Sequence, residues 1–137
     1  MSRYISENLR RIVAIRANYC CEYCRIREED TLFVCEVDHI ISIKHGGITE
    51  LFNLAFACFF CNRNKGSDIA TVLLPNRELI RLFDPRNDKW REHFQIDDGL
   101  ILPLSKIGEA TIKVLNMNES EKIIERRDLI LMGLYPS

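Results

Sequence analysis

The sequence predicts an α+β fold. Three features point to it: an amphipathic helical stretch near the start, a short strand enclosed by two Cys-x2-Cys pairs, and a second half that reads as strand, hairpin and two helices. A length of 137 residues suits one ordinary domain. Two parts are expected, residues 1–70 and residues 71–137, packed on one another.

Taken in order, Ser6 is the expected cap of a helix over 7–17, with Leu9, Ile12, Val13 and the stem of Arg16 on one face. Leu32 to Val37 reads as a strand that runs out through Glu36-Val37-Asp38-His39. Gly46-Gly47 marks a loop, and Leu54-Ala55-Phe56-Ala57 is a short apolar stretch. Asn62 should open a short helix that stops near Gly66. In the second half, 79–83 reads as a strand and Asp98-Gly99 as the turn of a hairpin. Ser105 is expected to cap a helix carrying Ile107, Ala110, Val114 and Leu115. Asn118 with Glu121 resembles a capping box before a last helix carrying Ile123, Ile124, Ile130 and Leu131, stopped by Gly133.

Six cysteines in so short a chain are the unusual feature. The stretch Met-Ser-Arg-Tyr-Ile-Ser-Glu-Asn has no apolar signal core, so export is not expected, and the cysteines read as metal ligands or buried thiols before disulfides. Cys21 and Cys24 form one pair; Cys58 and Cys61 form a second, 33 residues on. A Cys-x2-Cys knuckle turns both sulfurs toward one point, and two knuckles complete the tetrahedral shell of a structural Zn²⁺. The gap exceeds the roughly 15–20 residues of common zinc ribbons, so something is built inside it. Cys20 could replace Cys21 in register, and Cys35 reads as a small core residue.

A net charge of -1 excludes a protein that grips nucleic acid by bulk positive charge. Residues 1–67 hold nine Lys and Arg against eight Asp and Glu; residues 68–137 hold ten against twelve. Any hold on nucleic acid must come from a local basic strip and be strongly salt-sensitive. No apolar run approaches the roughly 20 residues of a membrane span, so no membrane partner is expected.

Between the knuckles lie Asp38-His39 at a strand end, Asn53 after a loop, and Asn62 directly after the last cysteine. Asp38 offers a hard anionic oxygen suited to Mg²⁺ or Mn²⁺. An imidazole, with an ordinary pKa of roughly 6.5, can take a proton from water near neutral pH. Read together, Cys-x2-Cys, Val37-Asp38-His39-Ile40-Ile41, His45-Gly46-Gly47, Asn53-Leu54 and Cys-x2-Cys-Asn62-x-x-Lys65-Gly66 resemble the HNH endonuclease family. Arg16-Ala17 before Cys-Glu-Tyr-Cys resembles a zinc-containing bacterial subgroup. So do Arg81-Leu82-Phe83-Asp84-Pro85-Arg86, Trp90-x-x-His93-Phe94 and Ile107-Gly108-x-Ala110-Thr111.

The resemblance implies a ββα-metal core in residues 1–70, stapled by the four-cysteine zinc site, with residues 71–137 as a C-terminal α+β extension. It implies that Asp38 and Asn62 ligate a catalytic Mg²⁺ or Mn²⁺, that His39 is the general base, and that Asn53 holds the loop and the orientation of His39. The chain would be an H-N-N variant, with Asn64 as the alternative last ligand. His45, Arg63, Asn64 and Lys65 are candidate phosphate contacts, each with the plainer reading of a solvated residue. The implied activity is one-metal hydrolysis of DNA, or of RNA, leaving a 5′-phosphate and a 3′-hydroxyl. A cytoplasmic protein is expected, as monomer or homodimer. The rivals are a catalytically inactive zinc-stabilised nucleic-acid-binding module and a zinc-scaffolded interaction domain. Asp38, His39, Asn53 and Asn62 together favour the enzyme, since a pure binder needs no such set.

Overall fold

Ser6 sets the first element: its Oγ accepts the Leu9 amide at 3.2 Å, opening α1 (Glu7–Arg16) in the computed structural model of the chain. The described residues are 4–136; residues 1–3, where the stretch read for an export signal begins, and Ser137 lie outside them. Val13 and Ala14 are the buried residues of α1, and Ile12 is 38% exposed, so the apolar face is turned from the predicted one. Arg16 closes the helix against the chain, donating to the Leu51 and Leu54 carbonyls at 2.9 and 2.6 Å.

Two strands follow, β1 (Glu36–His39) and β2 (Leu54–Ala57), paired antiparallel with Val37 opposite Phe56 and His39 opposite Leu54. β2 is buried throughout because both of its faces are covered. Alternation sends Leu54 and Phe56 into a cluster with Ile5, Val13 and Ala14, and Ala55 and Ala57 into a larger cluster with the cysteines. β1 is shorter than predicted. Leu32, Phe33 and Val34 are exposed and outside any strand; Phe33 stacks on Phe59 at 4.8 Å instead of entering the core. The Cys35 amide is taken by the Glu28 carboxylate at 2.8 Å, which ends that segment before β1 begins. α2 (Phe59–Lys65) starts earlier than predicted because Cys58 caps it, its Sγ accepting the Cys61 amide at 3.4 Å; Gly66 ends it.

The second half contributes two more antiparallel pairs, β3 (Ala70–Leu73) with β4 (Glu78–Arg81), and β5 (Phe94–Asp97) with β6 (Leu100–Pro103). β3 went unread because Ala-Thr-Val-Leu shows no polar alternation. The short α3 (Trp90–His93) leads into β5. Asp98 and Gly99 turn the β5–β6 hairpin with φ of 50° and 87°, the two positive values that its two-residue turn requires. α4 (Lys106–Leu115) is capped by Ser105, which accepts the Gly108 amide at 3.0 Å. Gly108 must be glycine for another reason: a Cβ there would lie 2.1 Å from the His93 carbonyl oxygen. Thr111 accepts the Phe83 amide at 2.8 Å and joins α4 to the segment after β4.

The last helix, α5 (Ser120–Leu131), is capped by Glu119 and not by Asn118. Asn118 instead grips both backbone groups of Ile101, at 2.9 and 2.7 Å, so a residue read as a cap is a clamp on the hairpin. Ile124 and Leu131, expected on the apolar face, are 55% and 83% exposed; Arg126 and Leu129 are the buried residues. Arg126 is 2% exposed and donates to the Gly99 and Met117 carbonyls at 2.7 and 2.8 Å and to Asn118 Oδ1 at 3.0 Å. The larger buried cluster runs from Cys21 to Tyr135 and includes residues of both halves.

Replacing Arg126 with Met would take this donor from the Gly99 and Met117 carbonyls, while Asn118 Oδ1 keeps the Ile101 amide. The variant is expected to lose about 3 kcal/mol of stability and to melt roughly 10 °C lower in a calorimetric scan. An unchanged melting temperature would show that water or rearrangement replaces the guanidinium.

Candidate metal centre and active site

The two knuckles meet. The four Sγ atoms of Cys21, Cys24, Cys58 and Cys61 lie within 4.8 Å of one another, all buried. In each knuckle the first sulfur accepts the amide of the second cysteine at 3.4 Å, a geometry that holds both thiols toward one centre. As thiols they resist ionising together: neighbouring sulfurs and burial push Cys24 and Cys61 up, while Cys58, accepting from the others, is held down. A divalent cation removes that conflict, and four thiolates in a closed shell are the donor set of structural Zn²⁺. Among the described residues this is the one cluster of at least three His, Cys, Asp or Glu placed to hold a metal. Cys20 stands outside it with its thiol on the Asn18 carbonyl, and Cys35 is half-buried, its thiol pushed up by burial.

The sulfur site ties the start of α2 to the segment ahead of β1. The gap between the knuckles is filled by β1, a loop and β2, so the predicted insertion is a hairpin laid against α2. On its open side is a groove of about 640 Å³ lined by Glu36, Asp38, His39, Asn62, Arg10 and Lys44, among others.

Asn53 is 5% exposed and staples the loop between the strands. Its Oδ1 accepts the Ile41 amide at 2.9 Å; its Nδ2 donates to the Ile41 and Ile48 carbonyls at 2.9 and 3.0 Å. Its backbone carbonyl takes the Ile40 amide at 2.9 Å, so the residue after His39 is fixed from the same point. Gly47 permits this closure: a Cβ there would fall 1.6 Å from the Ile41 oxygen. His39, at the end of β1, has its Nε2 2.9 Å from Thr49 Oγ1.

Asp38 faces inward and is 5% exposed. Lys65 Nζ lies 3.1 and 3.2 Å from its two oxygens, and the Tyr23 hydroxyl donates to Oδ2 at 2.8 Å. Burial raises its pKa above the usual carboxylate range, with Lys65 and Tyr23 opposing. Lys65, expected as a phosphate contact, is not one: it is 1% exposed, and its ammonium also donates to the His39 and Ile40 carbonyls at 3.0 and 3.1 Å. Asn64 is turned away from the groove, donating to the Leu115 carbonyl at 2.8 Å. Arg63 is exposed, its guanidinium 5.7 Å from the centre of the Phe59 ring. His45 is exposed on the turn after Ser42.

Asn62 reaches the groove, and its Nδ2 donates to Glu36 Oε2 at 2.5 Å. The sequence reading passed over Glu36, although its signal was present: two residues before Asp38 on a strand means the same face. Arg10 from α1, one of three arginines that with Arg11 and Arg16 could form a basic face on that helix, is on the groove wall together with Lys44, which no local pattern in the sequence sets apart.

Residues 21–68 match the family model for the HNH endonuclease. The chain carries an HNH domain. The match takes in both knuckles, the hairpin and α2, so the domain frame and the sulfur cluster coincide. No curated protein and no solved structure matches the chain.

Two outcomes follow from this geometry. Cys58→Ser is expected to abolish tight zinc binding while Cys35→Ser leaves it intact, as read by metal analysis of the dialysed protein; zinc retained by Cys58→Ser would remove that sulfur from the shell. Asn53→Ala should lower the free energy of unfolding by about 2 kcal/mol in urea, for loss of a buried amide with three partners. Asn53→Asp should cost at least as much, because it sets a carboxylate oxygen against the Ile41 and Ile48 carbonyls.

Proposed function

We propose that the protein is a metal-dependent endonuclease that hydrolyses phosphodiester bonds of DNA. One observation carries the reading: His39 from β1 and Asn62 from α2 line the same open groove, with Arg10 and Lys44 on its wall. That arrangement presents a base, an oxygen donor for a hard cation and two cations for phosphates on a single surface. The HNH match supports nuclease chemistry for it.

The Mg²⁺ or Mn²⁺ implied by the family would be held by Asn62 and a carboxylate of β1, for which Asp38 and Glu36 are the candidates. When bound, such an ion supplies positive charge to the phosphate and to the departing oxygen. His39 takes a proton from the water that attacks phosphorus, opposite the 3′ oxygen. The bond from phosphorus to the 3′ oxygen breaks with its electron pair on oxygen, which gains a proton from solvent; the ends are a 5′-phosphate and a 3′-hydroxyl. Thr49 holds the imidazole, and Asn53 holds the loop that carries Thr49. Arg10 and Lys44 place the backbone, and the near-neutral chain makes that hold local and salt-sensitive.

A catalytically inactive nucleic-acid-binding module is the second reading, favoured by the closed state of Asp38 between Lys65 and Tyr23. No described helix is long and apolar enough to cross a membrane. We assign the protein to the cytoplasm, where its six cysteines stay reduced.

Supercoiled plasmid with Mg²⁺ or Mn²⁺ separates the readings. Wild type should nick it, EDTA should stop the reaction, and His39→Ala should slow it at least ~100-fold. Equal cutting by His39→Ala would overturn the base. No cutting by zinc-loaded wild type with either metal would leave the binding module.

A further inference from the structure

We propose that Phe33, Phe59 and Phe60 form a platform on which an unpaired base stacks beside the groove, so that the protein takes nucleic acid with single-stranded nucleotides next to the cut. The proposal rests on the nuclease reading and adds the form of substrate that its groove receives.

A single apolar residue on a surface is ordinary, whereas a contiguous patch rimmed by charge marks a partner. Leu32, Phe33 and Val34 are 95%, 48% and 72% exposed, and Phe60 is 38% exposed. The three phenyl rings touch. Phe33 stacks on Phe59 at 4.8 Å with 29° between the planes, and Phe60 meets Phe59 and Phe33 edge to face at 5.4 and 5.9 Å. Cations engage two of the rings: the Arg63 guanidinium lies 5.7 Å from the centre of Phe59, and the Lys122 ammonium 3.4 Å from the centre of Phe60. Lys122 is also paired with Glu125 at 3.4 Å, so it steadies Phe60 and does not reach for phosphate. Phe33 is the most exposed ring of the three and, among the described residues, has no cation over it. The segment that presents it is pinned. The Thr31 hydroxyl bonds to the Glu28 and Phe33 carbonyls, and the Glu28 carboxylate accepts the Cys35 amide at 2.8 Å.

The platform continues the groove. Val34, directly after Phe33, lines it, and so does Asn62, which shares a face of α2 with Phe59 three positions earlier. Arg63 adds an exposed guanidinium beside the rings, while Arg10 and Lys44 stand on the groove wall. A backbone held by these cations carries its bases past Phe33. Within a duplex each base is covered by its neighbours and shows only its edges, so a phenyl ring has no face to meet. An unpaired base offers its whole face, and every base has one, so stacking is tolerant of sequence. Apolar contact with a protein calls on area alone. Flat rings with cations beside them, at the rim of a groove suited to phosphates, favour a partner that is both flat and anionic.

The test reads binding apart from cleavage. Zinc-loaded protein, with no Mg²⁺ or Mn²⁺ added, is titrated at low salt into a fluorescein-labelled single-stranded oligonucleotide and into its duplex, followed by anisotropy. Wild type should bind the single strand the more tightly. Phe33→Leu keeps an apolar side chain at an exposed position, so it should retain zinc and melt within a degree or two of wild type. It is expected to weaken single-strand binding about tenfold and to leave duplex binding within twofold; Phe33→Tyr, which restores the ring, should bind as wild type does. Single-strand binding within twofold of wild type in Phe33→Leu, an equal loss on the duplex, or a wild type that prefers the duplex would each overturn the platform. If wild type nicks plasmid all the same, the nuclease reading stands. Zinc-loaded wild type that neither binds the oligonucleotides nor nicks plasmid would overturn both. Sedimentation of the same proteins covers the other occupant: self-association abolished by Phe33→Leu, with single-strand affinity unchanged, would give the patch to a second copy of the chain and overturn the proposal.

Discussion

The convergence of four sulfurs on one centre is the constraint on which the rest of the molecule depends. A hairpin of two four-residue strands has little stability of its own in water, and a seven-residue helix has less. Here both are joined at their ends by the knuckles, so the loop between Cys24 and Cys58 is closed by the cluster and not by the strands. Closure leaves the strands and α2 only a small set of relative positions, and the groove is one product of that restriction. The amide-to-sulfur bonds within each knuckle and the cap that Cys58 provides for α2 show the same atoms serving the centre and the backbone.

A second layer of order comes from buried polar groups placed where strand meets helix. Lys65 lies below β1 and satisfies two consecutive carbonyls and a carboxylate; Asn53 does similar work for the loop. At the edge of β2, Glu22 accepts the Phe56 amide and pairs with Arg86 from the second half. Lys65 and Asn53 are buried and Glu22 and Arg86 half-buried, and the first two fix the backbone beside His39. The C-terminal half contributes through the same means: Trp90 donates to the Tyr23 carbonyl at 2.7 Å, below the hydroxyl that holds Asp38.

The fold was legible where the sequence used short-range chemistry. Ser6 and Ser105 cap the helices they were expected to cap, because a side-chain oxygen three residues before an amide is a local device. The Asp98-Gly99 turn was legible for the same reason, and the knuckles because their spacing is itself the geometry. Reading failed where a long-range partner outbid the local one. Asn118 has the spacing of a cap but is recruited by Ile101; Lys65 has the look of a solvated helix residue but is drawn under β1 by a carboxylate 27 positions away. Glu36 was hidden by the prominence of Asp38-His39, since adjacency in sequence draws the eye and alternation in the strand decides the face. Leu32 to Val34 were apolar enough to be read as core, and their rings and branches instead lie on the surface beside Phe59.

Tyr135 donates its hydroxyl to the carbonyl of Cys24 at 2.6 Å, across 111 positions of chain. The first knuckle therefore receives its last hydrogen bond from a residue near the other end of the described chain, and the buried cluster around the sulfurs is complete only when that residue arrives. During synthesis both knuckles emerge long before Tyr135 does. The sulfurs can meet early, but the cover over them is a late event, and the interval is set by translation and not by the chemistry of the site.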